Sequence, residues 1–172
     1  MVRITALLLA ISLGLAGCVT TTGTVDNRIN PRDAHAIRLN QMDLVNTIRA
    51  GRGLQPVTLS PQLTAAAQTH ARDMAVQLRA WNFGSDHSSP QTRAERAGFT
   101  GLITGENVAE TFLGPVEMFQ KWLEDSRAKA AMLHPDATHI SLGWYQETSG
   151  KLWWVQVMGA QSSQSLIMAE SQ

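Results

Sequence analysis

Apolar positions recur every three or four residues through the first two thirds of the chain, and every second residue near its end. From Ala36 to Arg49 the recurrence of Leu39, Met42, Val45 and Ile48 predicts a helix, closed by Gly51 and Gly53. Ser60-Pro61 then supplies an N-cap and a first-turn proline. The second helix runs to about Arg79, with Leu63, Ala66, Ala67, His70, Met74 and Leu78 on one stripe whose alanines admit a close neighbour. The stretch WNFGSDHSS (81–89) reads as a loop, and Pro90 opens a short helix to Ala97 that Gly98 stops. Residues 101–112 mix a short extended piece with the segment GENVAE. A third long helix is predicted over Pro115 to Lys129 from Val116, Phe119, Trp122 and Leu123, and Pro135 bars its continuation.

Ile140, Leu142 and Trp144 alternate, Thr148-Ser149-Gly150 makes a turn, and Leu152 to Met158 returns. This is a hairpin with one face against helices. Long helices followed by a Trp-rich hairpin predict an α+β domain, a three-layer α-β-α sandwich with a central antiparallel sheet, over residues 35–160. Residues 161–172 form a tail.

The chain begins MVRITALLLAISLGLAGC. A basic start, the uncharged run Ile4 to Leu15 and a small-residue end have the layout of a secretory signal over residues 1–17, and the run is too short for a spanning helix. Residues 18–34, rich in threonine and containing a proline, read as a flexible tether. Of the 172 residues, 14 are basic and 14 acidic, and 44% are apolar. That balance fits a globular domain and gives no field to steer nucleic acid or a membrane. Cys18 is the single cysteine, so the domain behind it has no internal disulfide, no thiolate nucleophile and no cysteine metal ligand. Cleavage before it leaves roughly 155 residues, enough to bury a core unaided.

The sequence has no HExxH, CxxC, GxSxG or phosphate-loop pattern. His87 lies in a polar loop with no core to fill. Glu106, preceded by Gly105, is a carboxylate where the backbone can approach closely. His70 is read either as a core-edge histidine bonded to a backbone carbonyl or as lining one cavity with His87. Ser88 or Ser89 caps the helix that begins at Pro90. His35, His134 and His139 fall at element edges, and the tryptophans at 122, 144, 153 and 154 read as packing, with Trp81 a candidate cleft wall.

Two resemblances follow from these residues. Leu15-Ala16-Gly17-Cys18 resembles the lipobox of bacterial lipoproteins, which implies acylation of Cys18 with fatty acids such as palmitate. Val19, not Asp, follows the cysteine, and this leans towards an outer-membrane anchor facing the periplasm. The helices from Leu39 to Ala75, DHSS, GENVAE, WLEDSR, THISLGW and LWWVQVMG, in that order, resemble the CAP (SCP-like) superfamily in its short bacterial form over roughly 38–159. That resemblance implies a three-layer sandwich with a cleft lined by two histidines and two acidic residues, where some members hold a divalent metal. On this chain it places His87, Glu106 and Asp125 in the cleft and leaves Ala128 at the second histidine position. His70 and Asn107 complete the candidate lining. Two ligands, His87 and Glu106, would hold zinc weakly. The expectation is therefore an anchored, non-catalytic binding or structural module with a lipid or protein ligand and no nucleic acid. The alternative is a peptidase-like hydrolase, possible metal assistance included, with His87 as base, Glu106 as its partner, and Asn107 or backbone amides near Gly105 as donors.

Overall fold

The computed structural model describes residues 28–161. The expected leader 1–17, Cys18 with the residues to 27, and residues 162–172 of the expected tail lie outside them. A 3-10 turn, Pro31–Asp33, leads into α1 (Ala34–Ala50), followed by β1 (Thr58–Leu59), α2 (Pro61–Gln77), α3 (Pro90–Arg96), β2 (Leu102–Thr111), α4 (Pro115–Glu124), α5 (Ser126–Met132), β3 (His139–Gln146) and β4 (Leu152–Ala160). The sheet order is β1-β3-β4-β2. The three long strands are antiparallel, whereas β1 runs parallel to β3, so the sheet is mixed and not wholly antiparallel as the sequence predicts. The third layer is present: α2 and α3 cover one face and α1, α4 and α5 the other.

Strand alternation sorts the two cores. Trp153, Val155 and Val157 of β4 face Leu63, Ala67, Ala71 and Met74 of α2. Leu152, Trp154 and Met158 face Val45, Phe119, Trp122 and Met132. Every residue from Leu152 to Gly159 is buried, so the hairpin packs helices on both faces and not on one. Two glycines set the layer spacing. A Cβ on Gly143 of β3 would lie 2.4 Å from the backbone of Ala67, and one on Gly105 of β2 would lie 2.5 Å from Cβ of Ala131.

The predicted caps hold: Ser60 Oγ accepts from Leu63 N, and Ser89 Oγ from Thr92 N. Three expectations shift. The helix predicted over 115–129 breaks at Asp125, which takes extended backbone (φ −83°, ψ 122°) and caps α5 by accepting from the amides of Arg127 and Ala128. The domain reaches back beyond residue 34, because Arg28 donates to Thr148 O and Ile29 N donates to Gln146 Oε1. Finally, α1 buries Gln41, Val45 and Arg49 fully, with Met42 and Ile48 only partly covered. Arg49 goes inside because its guanidinium meets four carbonyls, those of Gln55, Met132, His134 and Ala137, at 2.9–3.0 Å.

Removal of that fully buried guanidinium strands four acceptors at once. Arg49→Ala is expected to lower unfolding free energy by about 3 kcal/mol or more, read as a reduced urea midpoint at unchanged slope.

Candidate functional site

The site grows from the end of α2, the loop after it, α3 and the middle of β2. Leu78 leaves α2 in left-handed backbone (φ 53°). The loop is then tied back to the helices on either side. His70 of α2, fully buried, bonds through Nε2 to Trp81 O at 2.8 Å. Asp73 Oδ2 accepts from Ser85 N and from Gln77 Nε2, both at 2.8 Å. From α3, Arg93 Nη1 donates to the carbonyls of Asn82 (3.1 Å) and Ser88 (2.7 Å). Arg96 pairs with Asp86, and hydrogen bonding with Ser88 first, then with Arg96, holds the Asp86 carboxyl well below the usual carboxylate range.

Glu106 enters from β2. It sits opposite Val157 of β4, on the face covered by α2 and α3. Its side chain is 3% exposed, and Arg93 Nη2 donates to both of its oxygens at 2.7 and 2.8 Å. Asn82 Nδ2 adds bonds of 3.1 Å to Oε1 and to the Glu106 carbonyl. Burial pushes the Glu106 carboxyl upward, and the Arg93 guanidinium and Asn82 amide pull against that rise.

His70 stands 3.9 Å from Glu106 Oε1 through Nε2. A carbonyl only accepts, so Nε2 carries the proton towards Trp81 and Nδ1 keeps a bare lone pair. That lone pair has no hydrogen-bond partner and lies 3.9 Å from Asp73 Oδ2. Burial first, and the nearby Arg93 cation second, push the imidazole down to about 4. His70 and Asp73 line a hollow of about 470 Å³ between α2 and α3, with Ala65, Thr69, Asp86 and Arg93 also on its walls.

The residues singled out from sequence separate. His70 and Glu106 come together, and His70 makes the carbonyl bond anticipated as one of its two readings. His87 is exposed at the loop tip in left-handed backbone (φ 63°). No hydrogen bond or ion pair joins it to Glu106, and it does not line the hollow. Asn107, one residue along β2, points to the opposite face, where Nδ2 donates to Ala128 O and Gln156 Oε1. Ala128 packs in that other core, and Asp125 is exposed, its carboxylate spent on the cap of α5. The Glu106 side chain thus faces the α2 and α3 side of the sheet and Ala128 packs on the other, with no hydrogen bond or ion pair joining Glu106 to Asp125.

A divalent metal does not fit the expected set. Both Glu106 oxygens already face a guanidinium, whose charge opposes a second cation. Among the described residues no three His, Cys, Asp or Glu side chains converge as a metal cluster. The sequence reading missed Arg93, Asn82 and Asp73. A seven-residue helix is too short to reveal its inner face by periodicity, and an asparagine in a loop reads only as a turn former.

Comparison with known proteins bears on the whole domain. A family model described as the Cysteine-rich secretory protein family, CAP, matches residues 42–158. An extracellular protein from Bacillus anthracis containing a SCP domain superposes with a TM-score of 0.68 at 20% identity, over 78% of this chain and 45% of that one. An outer surface protein from Borrelia burgdorferi superposes equally well (0.68) at 16% identity, over 78% of this chain and 97% of that one. These likenesses show the fold. Among curated relatives, Bacillus subtilis YkwD is 26% identical over 129 residues, 75% of this chain. The Bacillus subtilis membrane protein YlbC is 25% identical over 116 residues, 65% of this chain. The chain spans 49% and 34% of those two proteins' lengths.

Two outcomes follow from the geometry. Arg93→Met leaves a buried carboxylate alone and is expected to cost about 3–5 kcal/mol, while a second change, Glu106→Leu, recovers most of it; urea unfolding of the single and double variants measures both. His70 binds its proton more weakly folded than unfolded. Its contribution is therefore complete above pH 6.5 and is lost as pH falls towards about 4, by about 3 kcal/mol in all. Unfolding midpoints across that range are expected to fall less steeply in His70→Gln.

Proposed function

The chain belongs to the CAP family, and on that footing we propose that it is a lipid-anchored, non-catalytic binding module of the bacterial cell envelope, with the hollow between α2 and α3 as its ligand seat. The observation that carries this reading is the pairing of both Glu106 oxygens with Arg93. A carboxylate so held is a poor proton carrier, and His87 is not placed to act with it as a base.

The hollow offers acceptors. The Asp73 carboxylate lines it, and His70, whose unpartnered Nδ1 is buried, backs the wall beside it. Ala65, Ala66 and Ala97 supply apolar walls. The volume of about 470 Å³ is in the range of small-molecule pockets. The chemistry favours a compact ligand that presents an N–H or O–H donor on an otherwise apolar body.

Anchoring is supported by Leu15-Ala16-Gly17-Cys18, with Val19 favouring the outer membrane and a periplasmic orientation. An envelope location is in keeping with the extracellular and outer-surface descriptions of the Bacillus anthracis and Borrelia proteins. Several acyl chains on one cysteine would make the attachment durable, since one chain alone gives only marginal binding.

Mass spectrometry of the chain extracted from bacterial membranes in detergent tests both halves. The expected result is acyl mass on the Cys18 peptide and a small molecule retained by the folded chain. Ala65→Trp, a change at an exposed helix position on the hollow's wall, is expected to expel that molecule without unfolding the domain. An unmodified Cys18 refutes the anchor, and retention that Ala65→Trp leaves untouched moves the ligand elsewhere.

A further inference from the structure

Overall neutrality conceals an uneven distribution of charge. A second groove, of about 550 Å³, lies between the N-terminal segment, α1, α2 and the end of β3. Arg28, Arg38 and Arg72 line it beside Trp144 and Tyr145, and among the described residues no acidic side chain does. Arg38 lies 4.9 Å from the Trp144 ring centre and donates to Leu142 O and Gln68 Oε1. Arg28 reaches Thr148 O.

The same surface continues along α2. Arg79 follows just past the left-handed end of the helix at Leu78, and Arg72 and Val76 stand one turn apart on a shared helical face. On it Val76 is 81% exposed, and Leu78 beside it 74%. Arg79 stacks 3.9 Å above the Trp81 ring, and Trp81 meets the half-exposed Phe83. The neighbouring acids are directed elsewhere. Asp73 turns to the hollow on the α3 side, Glu147 accepts from Trp153 and pairs with Lys151, and exposed Asp33 is not in the groove's lining. Four arginines interleaved with aliphatic tips and aromatic rings form the pattern of a surface that settles at a bilayer interface.

We propose that this face rests on an anionic phospholipid surface, with the arginines on headgroups and Val76, Leu78 and Phe83 at the acyl boundary. The inference rests on the anchor half of the proposed function, which supplies its geometry. Arg28, which lines the groove, is ten residues after Cys18, and ten extended residues reach at most about 35 Å. A lipid on Cys18 therefore holds this groove within a short span of the bilayer.

The test separates the face from the anchor. The chain from residue 18 onward, carrying Cys18→Ser so that no acyl group is added, is floated with vesicles of phosphatidylcholine alone or mixed with phosphatidylglycerol. Binding to the phosphatidylglycerol vesicles is expected to exceed that to phosphatidylcholine by about tenfold or more and to weaken with added salt. Arg72→Glu with Arg79→Glu is expected to abolish the preference, and Val76→Asp with Leu78→Asp to weaken binding to both vesicles, at unchanged unfolding midpoints. Equal binding to the two vesicles, no binding, or undiminished binding by the charge-reversed variant overturns the proposal. If any of these occurs while the wild-type chain carries acyl groups on Cys18, the face is refuted and the anchor stands; a wild-type chain without acyl groups refutes the anchor itself.

Discussion

Arg93 stands where three separate parts of the chain must meet, and its guanidinium joins them. It reaches β2 through both oxygens of Glu106 and the loop after α2 through the carbonyls of Asn82 and Ser88. Neither charge of the pair could be buried alone, because an isolated carboxylate or guanidinium loses its hydration with nothing in return. Together they satisfy one another and two loop carbonyls. That arrangement fixes the loop's path, turns Trp81 O towards His70, and leaves the hollow open between α2 and α3. The pocket is in this sense a by-product of how one ion pair is covered.

The pair also decides what the buried glutamate is for. A carboxylate with free lone pairs could coordinate a cation or relay a proton. Here a permanent cation of the protein itself stands against both oxygens, with Asn82 on one of them. The acid is consumed in building the wall, and the acceptors beside the hollow that this pair does not engage are His70 Nδ1, buried, and Asp73. These belong to α2, whose stripe reads in the sequence mainly as packing.

The layers were legible from periodicity. Two long helices with their caps, the short helix after Ser89 and the closing hairpin all emerge from spacing, proline and serine. What stayed hidden depends on tertiary contacts. Nothing local tells that Asp125 stops one helix and caps the next, and the two-residue β1 has no signal of its own. Gln41 and Arg49 stand outside the apolar series of Leu39, Met42, Val45 and Ile48, and their burial has no local signal because it depends on other elements: carbonyls at 132, 134 and 137 have no imprint near residue 49. The site was half visible. Glu106 and His70, both named from the sequence, lie side by side, whereas strand alternation sends Asn107 to the other face and the Asp125 carboxylate caps α5. The partner that gives Glu106 its meaning, Arg93, lies on a helix of seven residues where charged side chains ordinarily face water.

The entry of the chain into the domain has a mechanical side. Arg28 and Ile29 are pinned to the far end of the β3–β4 hairpin, at Thr148 and Gln146, and not threaded into the sheet. Ile29 also packs against the core beneath α1, so the segment that leads into the domain is held at its edge by polar bonds and apolar contact together.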